Sequence, residues 1–405
     1  MRVLAVDFGT SNTAAALAVD GGAPRLLAID GSPLVPSSVF RTDDGTLAVG
    51  RDADRQARLD PARFEPNPKR RIDDGDILLG STPVPVVTAI AAVLRRVAGE
   101  VTRQLGGPAD EVRLTHPARW GRRRRAALVA ACRESGLAED PVLIPEPVAA
   151  ATHFATLSGH GLAENATLAV YDLGGGTFDA AVVRRHAGNY EVLSEAGLPD
   201  LGGLDFDQAI LEHIGRTAAV AADPAAWAQL LAPADPAARR AARALATDIK
   251  EGKEALSRNP HVDIALPPPF ADVHLTRSEL DDLIRGDLRR SVDLMARTIA
   301  EAGLAPGSLA GVYLVGGSSR IPLVARLIQE GLGITPTTLD QPETSVATGA
   351  LYTGAAPTSR LLNGGHPSGS AAAVGPRAGS PSGSATGVGS TAGPGYPSGS
   401  APAAG

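Results

Sequence analysis

The sequence predicts an α/β protein of two lobes with mixed sheets, followed by a disordered tail. Two candidate β-hairpins, about 165 residues apart, each enclose a glycine- and hydroxyl-rich turn, which suggests a duplicated lobe. Short β-branched runs alternate with Ala-rich amphipathic stretches. The composition then breaks near residue 357: from His366 onward, 33 of 40 residues are Gly, Ala, Ser or Pro. Such a segment buries too little apolar surface to offset its chain entropy. The expected organisation is a first lobe over about 1–165, a second over about 166–356, and a low-complexity tail over 357–405.

Residues 3–6 and 14–19 read as the first hairpin, and 168–171 with 180–183 as the second. Helical periodicity runs through 88–105, 122–135 and 287–302. The segment Ile144-Pro145-Glu146-Pro147-Val148-Ala149-Ala150-Ala151 reads as a helix start whose small residues suit close packing between lobes. Residues 312–315 form a buried strand, then come Gly316-Gly317 and a helix from about Ile321. The basic run 122–125 reads as the solvated start of a helix with Arg125 turned inward. Residues 73–85 read as a loop, 223–240 as a variable stretch, and Trp120 and Trp227 as packing residues.

Composition narrows the function. With 43% apolar residues but only 3% aromatic, the core must pack on Ala, Val, Leu and Ile. A single cysteine, Cys132, excludes a disulfide framework and a Cys-type zinc site. A net charge of −6 argues against nucleic acid as a partner. No apolar run approaches the roughly 18 residues of a membrane helix, and Asp7 interrupts any signal-peptide core, so a cytoplasmic chain is expected. Of 38 basic residues only Lys69, Lys250 and Lys253 are lysine, which marks them as possible compact point charges.

Two motifs carry phosphate chemistry. In Asp7-Phe8-Gly9-Thr10-Ser11-Asn12-Thr13 an acid ends a strand, a glycine turns the backbone, and hydroxyls and N–H groups follow. Such a loop wraps phosphate oxygens while the acid faces a hydrated Mg²⁺. Asp172-Leu173-Gly174-Gly175-Gly176-Thr177-Phe178-Asp179 repeats that logic with three glycines for close backbone approach. Two copies facing each other make a clamp for a nucleoside triphosphate and its metal. A third motif, Gly311 through Pro322, lets a flat ring approach the Gly316-Gly317 backbone, where Arg320 can stack on it.

In this order the motifs resemble the nucleotide-binding domain of the DnaK-type seventy-kilodalton heat-shock chaperones, a member of the actin-like ATPase (ribonuclease H-like) fold. The resemblance spans roughly residues 1–355 and implies ATP/ADP and Mg²⁺ as ligands, with slow ATP hydrolysis. It implies that Asp7 and Asp172 are the acids that hold Mg²⁺ through water, and that Gly9, Thr10, Ser11, Asn12, Gly174, Gly175, Gly176 and Thr177 are phosphate binders. Lys69 matches the lysine that positions the attacking water, Glu146 the acid beside the metal, and Pro117 with Arg125 an interlobe relay. Gly202, Gly203, Lys253, Ser257, Gly316, Gly317, Arg320 and Glu343 match the ribose and adenine pocket. Co-chaperones or nucleotide-exchange factors are the protein partners this implies; no nucleic-acid or membrane partner is expected.

Departures cluster at the nucleoside end. Lys250 stands where the family has a ribose-contacting Glu, and Glu254 where it has an adenine-stacking Arg. The exchanged pair keeps an i,i+4 spacing that allows a bridge along the helix. Leu204 replaces an acid after Gly202-Gly203, and Glu343 replaces an Asp. The family continues into a peptide-binding domain, whereas residues 357–405 carry too few apolar side chains for a peptide groove. Three other readings stay open: a nucleotide-sensing pseudo-ATPase, an actin-like assembly protein, and a small-molecule kinase, for whose general base no distinct motif is present.

Overall fold

The computed structural model describes residues 1–157, 161–221, 223–339 and 341–353. The expected tail over 357–405 lies outside the described residues.

Each candidate hairpin forms, and each gains a parallel strand on the same side. Arg2–Phe8 pairs antiparallel with Asn12–Val19 and parallel with Glu111–His116, which lies parallel to Val142–Pro145. Thr167–Leu173 pairs antiparallel with Phe178–His186 and parallel with Val312–Val315. Asn189–Leu198 extends this second sheet beyond Phe178–His186. Parallel strands covered on both faces read as continuous apolar runs, and all four residues of Val312–Val315 are buried. The repeated topology puts Asp7 and Asp172 at equivalent places, one residue before the end of each first strand.

The helices cover these sheets. Val86–Leu105 buries Val86, Ile90, Leu94, Val97 and Val101 in a cluster with Leu4, Val6 and Leu17 of the first sheet. It stops at Gly106, whose φ of 70° is the left-handed cap geometry that favours glycine. On the second sheet, Pro236–Leu256 and Arg277–Glu301 pack Leu245, Ile249, Ile284 and Leu288 against Tyr171 and Phe178. Arg277–Glu301 begins ten residues before the expected start. Thr276 caps it: its hydroxyl accepts from the Glu279 N–H while the Glu279 carboxylate accepts from the Thr276 N–H.

A third core joins the two sheets. The helices Glu146–Thr156 and Ser345–Tyr352 bury Ala149, Ala150, Ala347 and Ala350 against Ala5, Val170, Tyr313 and Val315. The small residues matter as expected: a methyl group at Gly349 would overlap the Ala149 carbonyl. Arg113 secures the far end of Ser345–Tyr352. Its Nη1 donates to the carbonyls of Ala350, Leu351 and Thr353 at 2.9, 2.8 and 2.6 Å.

Two local expectations change. Residues 73–85 contain a hairpin, Asp76–Leu79 with Thr82–Pro85, rather than a plain loop. Ile77, Leu79 and Val84 turn into the core and Leu78 outward, a two-residue alternation too short to stand out beside Gly and Pro. In the basic run, Arg125 is exposed, and Arg124 pairs with Asp73 at 2.6 Å.

Candidate functional site

The two glycine- and hydroxyl-rich loops meet across a cleft of about 260 Å³. Ser37 shapes the first loop. Its Oγ donates to the Gly9 carbonyl at 2.9 Å and its N–H to the Ser11 carbonyl at 2.9 Å. The second loop closes through Gly174 N–H donating to the Thr177 carbonyl at 3.0 Å. The start of the helix Gly203–Ile214 backs it: Gly203 and Leu204 N–H donate to the Gly174 and Gly175 carbonyls at 3.1 and 2.8 Å. A methyl group at Gly175 would overlap the Ser11 hydroxyl, and one at Gly176 would lie 2.7 Å from Thr10 Cγ2. Glycine is therefore required where the loops touch.

Four acids and one lysine line the deep end. Lys69 Nζ donates to Glu146 Oε1 at 3.0 Å, and both side chains are about nine-tenths buried. Trp120 lies beneath the ammonium, 5.5 Å from Nζ to the ring centre, so it supports the lysine as well as packing the core. Thr115 Oγ1 donates to Asp7 Oδ1 at 2.8 Å. Asp179 accepts from Thr177 Oγ1 at 3.0 Å and from Arg119 Nε at 2.5 Å.

The electrostatics are those of a site with surplus negative charge. Burial raises the Asp172 carboxyl well above its usual range, and the charges of Glu146, Asp179 and Asp7 add to the rise. Burial also raises Asp7, opposed by Lys69 and the Thr115 hydrogen bond. Glu146 is pushed up to about 7, by burial first, against the pull of Lys69. Burial acts to lower Lys69, but Glu146, Asp7 and Asp172 outweigh it and hold the ammonium above its ordinary value. One lysine cannot neutralise three acids. Among the described residues no three side chains converge to hold a bare metal ion. The surplus negative charge of Asp7, Glu146 and Asp172 suits a divalent cation that keeps its water shell.

The other expected residues divide into those that line the cleft and those that support it. Asn12, Gly317, Arg320, Ser257 and Glu343 line it, whereas Gly202 and Gly176 pack against each other behind the second loop. At Gly316, φ is 81°, and a Cβ would sit 2.6 Å from Asp172 Oδ1; any other residue would displace that carboxylate. Lys253 is buried, paired with Asp207 at 2.6 Å and donating to the Gly203 carbonyl at 2.5 Å. Arg320 pairs with Glu343 at 3.1 Å. Lys250 and Glu254 both line the cleft and are exposed, and among the described residues no ion pair joins them. The bridge that the i,i+4 spacing allows is not formed between them.

Sequence reasoning assigned no role to Ser37, Thr115, Asp179, Arg119 or Asp207. Asp179 lay inside the second motif and Asp207 one helical turn after Gly203. Ser37, Thr115 and Arg119 act on Gly9, Asp7 and Asp179, which lie 28, 108 and 60 positions away, and leave no local signal.

A family model described as Hsp70 protein matches residues 83–361. The chaperone protein HscA homolog of Azotobacter vinelandii is 34% identical over 371 residues, 85% of this chain and 56% of that protein. The HscA homologs of Tolumonas auensis and Aeromonas hydrophila are each 31% identical, over 383 and 372 residues. Those matches cover 88% and 86% of this chain and 59% and 57% of the relatives. The chain thus spans well under two thirds of the length of these relatives. With a matched model over most of the described residues and the two loops facing across one cleft, the chain belongs to the Hsp70 family.

Proposed function

We propose that the cleft binds MgATP and hydrolyses it slowly to ADP and phosphate, and that the chain serves protein folding or its regulation through partners that sense the cleft's opening. The observation that carries this reading is the convergence of Asp7, Glu146 and Asp172 on Lys69 between two touching Gly/hydroxyl loops. The similarity to HscA homologs, which are chaperone proteins, supports the biological half. Co-chaperones and nucleotide-exchange factors are the partner classes it implies.

In this reading the backbone N–H groups and hydroxyls of Thr10, Ser11 and Thr177 hold the β- and γ-phosphates. Mg²⁺, when bound, neutralises charge on the phosphate oxygens, and Asp7 and Asp172 orient its water shell. Lys69 positions the attacking water and stabilises charge on the γ-phosphate, while Glu146 and Trp120 hold its ammonium in place. No side chain need act as a strong base, because phosphoryl transfer depends mainly on positioning and electrostatics. Gly316, Gly317 and Arg320 border the space left for the base, and Lys253 acts by fixing Gly203.

Nucleotide titration by calorimetry with and without Mg²⁺, beside phosphate release, tests the reading. Mg²⁺-dependent ATP binding with slow phosphate release supports it. Tight binding without release would instead favour the nucleotide-sensing pseudo-ATPase, which the rearranged charges at Lys250 and Glu254 keep in view.

A further inference from the structure

The tight turn Pro117–Trp120, closed by Trp120 N–H donating to the Pro117 carbonyl at 3.0 Å, serves both sides of the cleft. Trp120 supports Lys69 from the first half of the chain. Arg119, one residue earlier, reaches across to the second half, where its Nε donates to Asp179 Oδ1 at 2.5 Å. The other oxygen of that carboxylate accepts from Thr177 Oγ1 at 3.0 Å. A guanidinium from one half thus fixes, through one carboxylate, a hydroxyl in the glycine loop of the other.

A second observation points the same way. Gly197 lies directly opposite Asp179 in the antiparallel pair Phe178–His186 and Asn189–Leu198. A methyl group there would sit 2.7 Å from both Arg119 Nε and Asp179 Oδ1. The strand is bare at the one place where the ion pair needs room. The pair is also shielded, with side-chain exposures of 26% and 21%, so it is stiffer than an exposed surface pair.

The geometry points to Arg119 as a positioning residue for ATP hydrolysis: through Asp179 it holds the Thr177 hydroxyl in the orientation that meets the phosphate. This rests on the reading that the cleft hydrolyses ATP. Because the hydroxyl donates to Asp179, its lone pairs are set in one direction before nucleotide arrives. Such preorganisation acts mainly on kcat, since the ground state is held by many other contacts.

The test uses the full chain as wild type, Arg119→Ala, Arg119→Lys and Gly197→Ala. Gly197→Ala wedges the pair apart without removing either charge. For each, kcat and KM for ATP are measured, and the Thr177 side-chain rotamer is read from methyl scalar couplings by NMR. Arg119→Ala and Gly197→Ala are expected to lose about tenfold in kcat with KM within about threefold, and to show an averaged Thr177 rotamer. Arg119→Lys should recover part of both. A single, unchanged rotamer in Arg119→Ala, or unchanged kcat in both disrupting variants, overturns the assignment. Wild-type protein that releases no phosphate contradicts the ATPase reading itself; wild-type turnover matched by both variants contradicts only the role of Arg119.

Discussion

At the deep end of the cleft Lys69 is sealed against Glu146 and over Trp120, with Asp7 and Asp172 acting on it. At the outer end Lys250 and Glu254 stand exposed on one helix face and make no ion pair with each other. The difference follows from solvent. A charge taken out of water must be matched within a few ångströms, so loss of Lys69 would leave Glu146 uncompensated. An exposed charge is screened, and its sign can change at little cost to the fold. The charges at the deep end are thus fixed by burial, and those at the outer end are left free to vary.

The sharpest way to break that contrast is Lys69→Ala. It should reduce ATP turnover at least a hundredfold while ATP affinity stays within about tenfold, because a positioned water counts in the transition state and the loops hold the ground state. Comparable losses in affinity and turnover would make Lys69 a binding residue.

Asp172→Asn should weaken Mg²⁺-dependent nucleotide affinity at least tenfold and leave the melting temperature of the nucleotide-free protein unchanged or higher. Burial and three neighbouring acids already disfavour its charge, so removing that charge relieves repulsion. A large fall in melting temperature would reassign Asp172 to the fold.

Glu146→Gln tests the same surplus through pH. The folded carboxyl is pushed up to about 7, above its unfolded value. The proton is therefore held more tightly in the folded state, and the stability it contributes is present in acid and lost as pH rises through about 7. Relative to Glu146→Gln, the wild type should lose a few degrees in melting temperature between pH 5 and 8. Parallel curves would show that Glu146 keeps an ordinary affinity for its proton.

At the outer end, Lys250→Ala and Glu254→Ala should each change ATP affinity less than about threefold and leave turnover within about twofold. A tenfold effect from either would show that an exposed charge has been recruited to the nucleoside, and the contrast between the two ends would fail.

The deep end was largely legible in the sequence because its signals are local. Acid, glycine and hydroxyl fall within seven consecutive residues, twice, each time in the turn of an antiparallel hairpin. What escaped was set by contacts between distant segments. Trp120 reads as a core aromatic until Lys69, 51 positions earlier, is seen above it. Ser37 and Thr115 are ordinary hydroxyls until they meet Gly9 and Asp7. The early start of Arg277–Glu301 was readable from Thr276 and Glu279, but the apolar periodicity began later and masked it. Lys250 and Glu254 failed the opposite way, since ideal i,i+4 spacing offers a pair that solvent gives little reason to form.

The central claim is that these buried charges make a MgATP-hydrolysing centre. Phosphate release from ATP by the full chain, followed with and without Mg²⁺ alongside Lys69→Ala, addresses it most directly. The account predicts slow release by the wild type that requires Mg²⁺ and is lost in Lys69→Ala. ATP bound with no phosphate released, or release that Lys69→Ala leaves unchanged, would contradict it.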